Sequence, residues 1–471
     1  MESEELNVDS FKQILSAGDI IQIALRMLGC INKDITAHNT RTAYIALNIS
    51  RAYKMNSKCS VTNLVVLSFF HTLGYFREDI TFNYNPHDSN PVFFEDSKAC
   101  TSKYMFASFY LEYLTPLRED ARALSTFNRP YNPDLSRMRY QEDYKCIINL
   151  AAHISDFIAK NPDKNLPSDL NELCPNTFNP AVVEAFKRLN KQFGILDKIR
   201  ADNYKQMLSQ YLFTVNYTPE ETKNLEFLLV YFHDFKSTHT MKHAINTSCY
   251  AITLGQRMNL NMNDLSCLFV SANLHDIGKI ATPQRILEFP GKLSPEDMGI
   301  MRHHVNHSKR ILSGFVPFDV LENVYRHHEK LNGKGYPNHV PGEDLTLLQK
   351  ILTVADITSA LNDSRSYKEE FSKEKTINIL KDMTEMGELD PSITKFVLED
   401  FDNVMIDLRK NQELLKLNYS TFIANYNNYI FSDVVDELES LEDISPVEEL
   451  NDAEELEEIQ EIEELDDVEE L

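Results

Sequence analysis

The chain of 471 residues is long enough for two or more domains with apolar cores, and it carries a formal net charge of −25. Most of this acidity lies in residues 433–471, which hold 20 acidic side chains and no Lys or Arg. The remainder, with 52 acidic and 47 basic residues, lacks the basic face expected of a protein that binds duplex nucleic acid. No apolar run is long enough to span a membrane and the acidic N-terminal sequence is unlike a signal peptide, so we expect a cytoplasmic protein.

Cysteine and histidine are distributed very differently along the chain. The seven cysteines are scattered and form no C-x-x-C pair, which argues against a disulfide framework or a zinc ribbon and favours reduced core residues. Ten of the fourteen histidines, in contrast, fall between His233 and His339. This concentration predicts a functional site in that stretch.

The sequence has the periodicity of an all-α protein. Apolar residues recur at helical spacing over long stretches, strand-like alternation is scarce, and there are only 13 glycines. Thr218, Ser294 and Asp390 are each followed by proline, and a side-chain cap followed by proline favours the first turn of a helix.

An internal repeat divides the chain into two similar halves. Three landmarks recur with spacings that agree to within one residue: His38, His71 and His153 in the first half and His243, His275 and Asp356 in the second. We interpret the halves as two tandem copies of one helical domain. Because the first copy has Thr72 at the position of Asp276, it lacks a carboxylate that a cation needs. We expect its histidines to be packed or surface residues.

The repeat and the composition predict five regions. A degenerate helical domain occupies residues 1–195, a connecting helix 196–217, a catalytic domain 218–410, a helical extension 411–432 and an acidic tail 433–471. In the tail nearly every third residue is Leu, Ile or Val, a period that gives an α-helix no fixed apolar face. We therefore expect a disordered tail; the alternative is a segment that folds on contact with a basic partner.

The stretch HDIGK at 275–279 ends the apolar stripe of a predicted helix, and Gly278 is placed to stop that helix. A buried carboxylate at Asp276 needs a partner, and the neighbouring His275 makes a metal cation the simplest one. The alternative is a helix end at which Asp276 pairs with Lys279 and His275 is simply packed.

Four further segments of the second copy contribute histidine or aspartate: they supply His243, His304, the adjacent His327 and His328, and Asp356. With His275 and Asp276 these side chains outnumber the ligands of one metal ion. They predict a two-metal site bridged by Asp276, of the kind that activates a bridging hydroxide for phosphoryl displacement. The loop NGKGYP at 332–337 follows, with glycines for close ligand approach and tyrosine for stacking.

The order and spacing of these motifs resemble an HD-GYP domain, a branch of the HD phosphohydrolase superfamily, from His243 to about Phe401. The matching motifs are HDIGK at 275–279, the helix of His304, HHE at 327–329, NGKGYP at 332–337 and VAD at 354–356. The first copy resembles a degenerate member of the same fold. The resemblance implies a phosphodiesterase of cyclic dinucleotides, usually of cyclic di-GMP, that yields linear pGpG or GMP.

The resemblance also implies the roles of individual residues in a site with two divalent ions, iron or manganese. One ion would be held by His243, His275, Asp276 and Asp356, and the other by Asp276, His304, His327 and His328. Lys279 would contact the scissile phosphate. The catalytic residues would be Asp276 and Lys279. The substrate-binding residues would be Lys279, Gly335, Tyr336, Pro337, Arg365 and Lys368.

Three positions depart from the family pattern. Asn332 replaces the usual Asp before G-x-G-Y-P, and Ser359 stands where many members have a second Asp. His239 stands where members with three metals have a Glu, which favours two ions here. We expect His239, His303 and His307 to lie in solvent or outside the ligand shell.

These observations leave three functions to compare. The leading one is a metal-dependent phosphodiesterase of cyclic di-GMP or a related cyclic dinucleotide. The alternatives are a non-catalytic receptor of the nucleotide and an HD phosphohydrolase of another nucleotide phosphoester. The sequence also leaves open a homodimer and a protein partner for the acidic tail.

Overall fold

The computed structural model describes residues 11–77, 98–363 and 371–439, and over these ranges the regular structure is helical, with no strand. The first half contains α1 (Ala17–Ile31), α2 (Lys33–Ile49), α3 (Val61–Phe70), α4 (Lys98–Leu114), α5 (Pro133–Met138), α6 (Gln141–Lys160), α7 (Pro180–Phe193), α8 (Ile195–Arg200) and α9 (Tyr204–Leu212). The second half contains α10 (Pro219–Tyr231), α11 (Thr238–Arg257), α12 (Met262–Leu274), α13 (Gln284–Leu287), α14 (Pro295–Arg302), α15 (His304–Leu312), α16 (Phe318–Arg326), α17 (Leu347–Asn362), α18 (Lys373–Glu385), α19 (Pro391–Glu399) and α20 (Phe401–Glu439). The prediction of an all-α fold is confirmed. None of the helices described here is both long and apolar enough to cross a membrane.

The helix starts predicted from sequence are present, and each is capped by the expected side chain. The Thr218 hydroxyl accepts from the backbone N–H of Glu221, whose carboxylate accepts in return from the N–H of Thr218. Ser294 caps α14, and Asp390 caps α19. Such caps pair backbone N–H groups that the first turn of a helix leaves without partners.

The same helical arrangement occurs in both halves. In the first, α2 packs against α3 and α6; in the second, α11 packs against α12 and α17. In each half, the helix that carries the first landmark histidine, α2 or α11, therefore contacts both of the helices associated with the other two landmarks. A short 3₁₀ helix follows the second landmark in both cases, at Leu73–Phe76 and Ile277–Ala281. The tandem repeat inferred from spacing thus has a structural counterpart.

The landmark histidines of the first half are buried, as expected for packed residues. Burial lowers the pKa of His71 and of His153 to about 4, and it holds the pKa of His38 well below its ordinary value, so all three are neutral at pH 7. The Thr72 hydroxyl donates a hydrogen bond to Asn39 Oδ1 at 2.8 Å. A neutral pair therefore replaces the carboxylate at this position.

The connecting segment differs from the prediction of a single helix. Residues 196–217 contain α9 and most of α8, separated by a turn in which Asp202 adopts φ 57°. Left-handed backbone geometry ends an α-helix, and aspartate tolerates it better than most residues. α9 then packs against α1 and α2, so the segment forms part of the first half's core.

The C-terminal helix also crosses the predicted boundaries. α20 runs without interruption through residues 410 and 411 and includes residues 433–439, which the sequence assigned to a disordered tail. The rest of the acidic tail, residues 440–471, lies outside the described residues. α20 packs against α11 of the second half and α4 of the first.

The two halves are joined through α1. The Arg26 guanidinium donates to the carbonyls of Arg310, Ile311 and Ser313 at 3.1, 2.9 and 2.8 Å, and it lies 4.2 Å from the Phe315 ring centroid. A cation at a helix C-terminus pairs carbonyls that the helix leaves open. Arg26 therefore fixes the end of α15, whose first residue is His304, against the first half.

Glu226 of α10 is a buried carboxyl group whose effect on the stability of the fold can be tested. The side chain is buried, and burial raises its pKa from 4.5 to about 7. Because the folded state favours the protonated form, stability falls as the pH rises from 4.5 to 7 and then stays at the lower value. We expect Glu226→Gln to leave stability almost unchanged at pH 4.5 and to raise it by up to about 3 kcal/mol at pH 8.

Denaturant unfolding of the wild type and the variant at the two pH values measures this effect. Glu220→Gln, on the exposed surface of the same helix, is the matched control and should change stability by less than about 0.5 kcal/mol at either pH. A gain for Glu226→Gln that is equal at both pH values would contradict the assignment.

Candidate metal centre

Seven histidine and aspartate side chains of the second half converge on one buried point. His243 and Asp356 lie within α11 and α17, while the others lie at helix ends. His275 and Asp276 follow α12, His304 begins α15, and His327 and His328 follow α16. Six of the seven are buried and His328 is nearly so. The structure therefore brings together every metal ligand predicted from sequence.

The ligand atoms form three overlapping groups, each with all its atoms within 4.8 Å of one another. The groups are Asp276 with His304, His327 and His328; His243 with His275 and Asp276; and His275 with His327 and Asp356. Asp276, His275 and His327 each belong to two of the groups, and Asp276 is the carboxylate among these three shared residues.

The two oxygens of Asp276 face different histidines. Its Oδ1 lies 3.4 Å from His304 Nε2 and 3.9 Å from His327 Nε2. Its Oδ2 lies 3.3 Å from His275 Nε2 and 3.8 Å from His243 Nε2. A carboxylate with a histidine pair on each side has the arrangement of a bridging ligand between two metal ions.

The polar atoms at the centre fit a metal better than they fit one another. Within the described part of the chain, His275 Nε2 and Asp276 Oδ1 have no hydrogen-bond partner although both are buried. An unpaired buried polar atom costs about 1–3 kcal/mol, and cation coordination removes that cost. The unpaired atoms are among those that would coordinate an ion.

Backbone contacts orient three of the histidines. The Nδ1 atoms of His275, His304 and His327 lie 2.7, 2.8 and 2.7 Å from the carbonyl oxygens of Ala272, Met301 and Val324. Each ring thus donates Nδ1–H to the carbonyl three residues earlier and directs its Nε2 atom into the cluster. Such outer hydrogen bonds fix the tautomer and the ring direction of metal-binding histidine.

The electrostatics give ionised carboxylates and two kinds of histidine. Against the effect of burial, Asp276 and Asp356 raise the pKa of His275 to about 10, and Asp356 and Asp363 raise the pKa of His243. Burial opposes ionisation of Asp276 and Asp356, yet the cationic and donor groups around them hold the pKa of each carboxyl well below its ordinary value. Burial lowers the pKa of His304 to about 3 and that of His327 to about 4. Ionised carboxylate and neutral imidazole are the forms that bind metals.

Lys279 lies on the 3₁₀ helix directly after Asp276. Its Nζ is 2.8 Å from Asp276 Oδ2, and its side chain is 20 % exposed while that of Asp276 is 1 % exposed. The ammonium group therefore lies between the buried cluster and the surface. This contact is the Asp276–Lys279 pair that the sequence offered as an alternative to metal binding, and here it occurs together with the full ligand cluster.

The NGKGYP loop lies against the cluster through Tyr336 and Gly335. The Tyr336 ring stacks on that of His328, with centroids 4.6 Å apart, and the Arg302 guanidinium lies 5.3 Å from the tyrosine centroid. Gly335 has no room for a side chain, because an added Cβ would overlap the backbone of His328, Glu329 and Lys330. The Tyr336–Pro337 peptide bond is cis.

Sequence reasoning missed two supporting carboxylates. Glu329 accepts hydrogen bonds from the backbone N–H groups of Asn338 at 2.7 Å and Val340 at 3.0 Å, which holds the loop in place. Asp363 contacts His243 Nδ1 at 3.1 Å. The HHE motif was a signal for the first, and the position of Asp363 one helical turn after Ser359 was a signal for the second.

The other residues singled out in the sequence are either absent from the ligand groups or outside the described residues. Arg365 and Lys368 fall outside the described residues. Among the described residues, none of the ligand groups includes His239, His303 or His307. His303 is exposed, as the sequence predicted.

Residues 233–393 match the family model of the HD domain. The cluster and the motifs quoted from the sequence fall inside this matched stretch.

The relatives of the chain are phosphodiesterases of cyclic dinucleotides. The 3'3'-cGAMP-specific phosphodiesterase 3 of Vibrio cholerae serotype O1 is 30% identical over 209 residues, which cover 44% of this chain and 45% of that protein. The cyclic di-GMP phosphodiesterase response regulator RpfG of Xanthomonas campestris pv. campestris is 29% identical over 235 residues, which cover 49% and 58%. The chain spans about half the length of the first curated relatives it matches.

A solved structure shares the fold over most of the chain. The crystal structure of the cyclic GMP-AMP-specific phosphodiesterase V-cGAP3 of V. cholerae aligns with a TM-score of 0.52 at 17% identity. The alignment covers 85% of this chain and 99% of that one, so the likeness in fold extends beyond residues 233–393.

Gly278 provides a test of how the cluster is assembled. An added Cβ would overlap the carbonyl oxygen of His304, and the Gly278 N–H donates to Ser308 Oγ at 2.9 Å. This contact packs the 3₁₀ helix after Asp276 against α15. We expect Gly278→Ala to lower the free energy of unfolding by about 3 kcal/mol, the upper end of the usual cost of overpacking, because the backbone atoms it meets cannot rotate away.

Chemical denaturation followed by circular dichroism measures the loss. Gly299→Ala on α14 is the matched control, because its added Cβ has no neighbour within 4 Å. In a helix this change should be neutral or stabilising by up to about 1 kcal/mol. Equal stability of the two variants would show that the close contact at Gly278 does not exist.

Proposed function

We propose that the chain is a metal-dependent phosphodiesterase that hydrolyses cyclic di-GMP or a related cyclic dinucleotide to a linear product, pGpG or GMP. The observation that carries the proposal is the buried Asp276 carboxylate with a histidine pair on each oxygen. It is supported by the relatives, which are named as phosphodiesterases of cyclic di-GMP and of 3'3'-cGAMP.

In this proposal the cluster holds two divalent ions. His243, His275, Asp276 and Asp356 bind one, and Asp276, His304, His327 and His328 bind the other. When bound, the ions polarise the phosphodiester and make water a stronger nucleophile. We favour iron or manganese, because mixed imidazole and carboxylate ligands suit these metals.

The residues of the chain have distinct tasks in the proposed reaction. The Nδ1 contacts of His275, His304 and His327 hold their rings rigid, so the ligand set does not need to reorganise during turnover. Lys279, part-exposed beside Asp276, binds the scissile phosphate and stabilises the negative charge that develops on it. Asp276 keeps its charge throughout, because the surrounding cations hold its pKa low.

Substrate binding is assigned to the loop beside the cluster and to the segment after α17. Tyr336 stacks on His328, and Gly335 lets the loop lie close to the backbone of His328 and Glu329. We assign Pro337, the next residue of the loop, to the same binding surface. Arg365 and Lys368, which fall outside the described residues, remain proposed contacts of the dinucleotide. The Arg302 guanidinium beside Tyr336 adds a cation at the same edge.

The remaining organisation is also a proposal. We take residues 1–195 as a structural or regulatory copy and residues 218–410 as the catalytic one, in a cytoplasmic protein. The neutral Thr72–Asn39 pair supports this division, because a site without that carboxylate lacks the bridging ligand.

A substrate panel tests the proposal. Full-length protein, purified without oxygen and loaded with Mn²⁺ or Fe²⁺, is incubated with cyclic di-GMP, 3'3'-cGAMP, cyclic di-AMP and a set of linear nucleotides, and the products are separated by chromatography. Linear products from a cyclic dinucleotide are expected. Tight binding of a cyclic dinucleotide without turnover would instead identify a receptor, and turnover of linear nucleotides alone would identify another phosphohydrolase.

Asp276 is the residue on which metal binding should depend most. We expect Asp276→Asn to lose bound metal and to lower kcat/KM by more than about 100-fold, since even the outer partners of metal ligands typically contribute 10–100-fold. Metal analysis and the phosphodiesterase assay measure the two effects. Asp407→Asn removes a carboxylate that pairs with Arg257 far from the cluster and should change neither. Full metal content and activity in Asp276→Asn would overturn the proposed site.

A further inference from the structure

His243 is oriented differently from the other histidines of the cluster. His275, His304 and His327 lie at helix ends, where a backbone carbonyl is available for Nδ1. His243 lies inside α11, where the carbonyls of the preceding turn accept the helix's own hydrogen bonds. The contacts of its Nδ1 atom are with the side chains of Asp363 and Ser359.

The acceptor for this Nδ1 atom is Asp363, at the end of α17. Its Oδ2 lies 3.1 Å from His243 Nδ1, and the opposite ring nitrogen, Nε2, faces the cluster at 2.9 Å from Asp356 Oδ1. Ser359 Oγ donates to the same Asp363 oxygen at 3.0 Å and lies 3.2 Å from His243 Nδ1. The carboxylate and the hydroxyl thus enclose the Nδ1 side of the ring.

A second chain of hydrogen bonds fixes Asp363 from outside the HD domain. Asn246 Nδ2 donates to Asp363 Oδ1, and Gln412 Nε2 donates to Asn246 Oδ1 at 2.6 Å. Gln412 lies on α20, beyond the residues that match the family profile. With His243 and Ser359, Asn246 completes a set of three donors around one carboxylate.

We propose that Asp363 is a positioning residue for the metal centre: it fixes the tautomer and direction of His243, and α20 holds it in place through Gln412 and Asn246. Ser359 occupies the place where the resembling domains have an aspartate, and Asp363 supplies a carboxylate one helical turn further along α17. The inference rests on the proposed metal-dependent function, since it assigns His243 as a ligand.

The test measures metal affinity in the absence of substrate. Metal-stripped full-length protein is titrated with Mn²⁺, and free Mn²⁺ is followed by electron paramagnetic resonance. Asp363→Asn should weaken binding at one of the two sites by about 10–100-fold, because loss of an outer carboxylate typically has that effect. Asp400→Asn is the matched control: Asp400 pairs with Arg257 away from the cluster, so wild-type affinity is expected.

Relocation of the carboxylate separates positioning from general stability. Asp363→Ser should weaken Mn²⁺ binding, and Ser359→Asp combined with Asp363→Ser should restore it to within about threefold of the wild type, because a carboxylate at 359 is next to the same Nδ1 atom. A double variant that binds as weakly as Asp363→Ser would overturn the positioning role. Wild-type affinity in Asp363→Asn would overturn it as well.

Gln412→Leu tests the contribution of α20 and does not alter any group at the cluster. It should weaken Mn²⁺ binding by a few fold, and unchanged affinity would overturn the part of the inference that concerns α20.

The outcomes of these Mn²⁺ titrations can be distinguished from the outcomes of the substrate panel. Wild-type protein that binds Mn²⁺ but hydrolyses no nucleotide refutes the phosphodiesterase while the Asp363 effect stands. A wild type that binds no Mn²⁺ overturns both.

Discussion

The burial of the Asp276 carboxylate is the constraint on which the second half of the protein depends. The side chain is 1 % exposed, and a charge in that position is stable only when cations and donors surround it. The Lys279 ammonium group lies beside Oδ2, and the Nε2 atoms of four histidines face the two oxygens. Three of these histidines, His243, His304 and His327, come from segments that are distant in sequence. The close packing of Gly278 against α15 contributes to this arrangement, because it holds His304, the first residue of α15, near Asp276.

The first half shows what this frame becomes without the carboxylate. Its helices pack in the same order, and His71 keeps the Nδ1 contact to a carbonyl three residues earlier, at 2.8 Å, that His275 has at 2.7 Å. Thr72 and Asn39 form a neutral hydrogen bond where a charge would otherwise be buried. The helical frame therefore does not require the metal site, and Thr72 and His153 stand where the second copy has Asp276 and Asp356.

α20 contacts both halves of the protein and the surroundings of the metal-binding cluster. It begins after the family profile ends, packs on both α4 and α11, and reaches the outer shell of the cluster through Gln412. The part of the site that resembles other proteins is thus supported by an element outside it. This support was not predictable from motifs, because Gln412 and Asn246 are ordinary polar residues whose meaning depends on their contact.

The sequence by itself determined the helical class, the capped helix starts, the repeat and which residues are candidates for metal binding, because periodicity, caps and motif spacing are local properties of the chain. The tertiary structure decided what depends on contacts between distant segments. The connecting segment forms two helices separated by a turn at Asp202, and α20 extends through the predicted domain boundary. The two oxygens of Asp276 face different pairs of histidines. The tertiary structure also placed Asp363 on the ring of His243, 120 residues away, which no local pattern specifies.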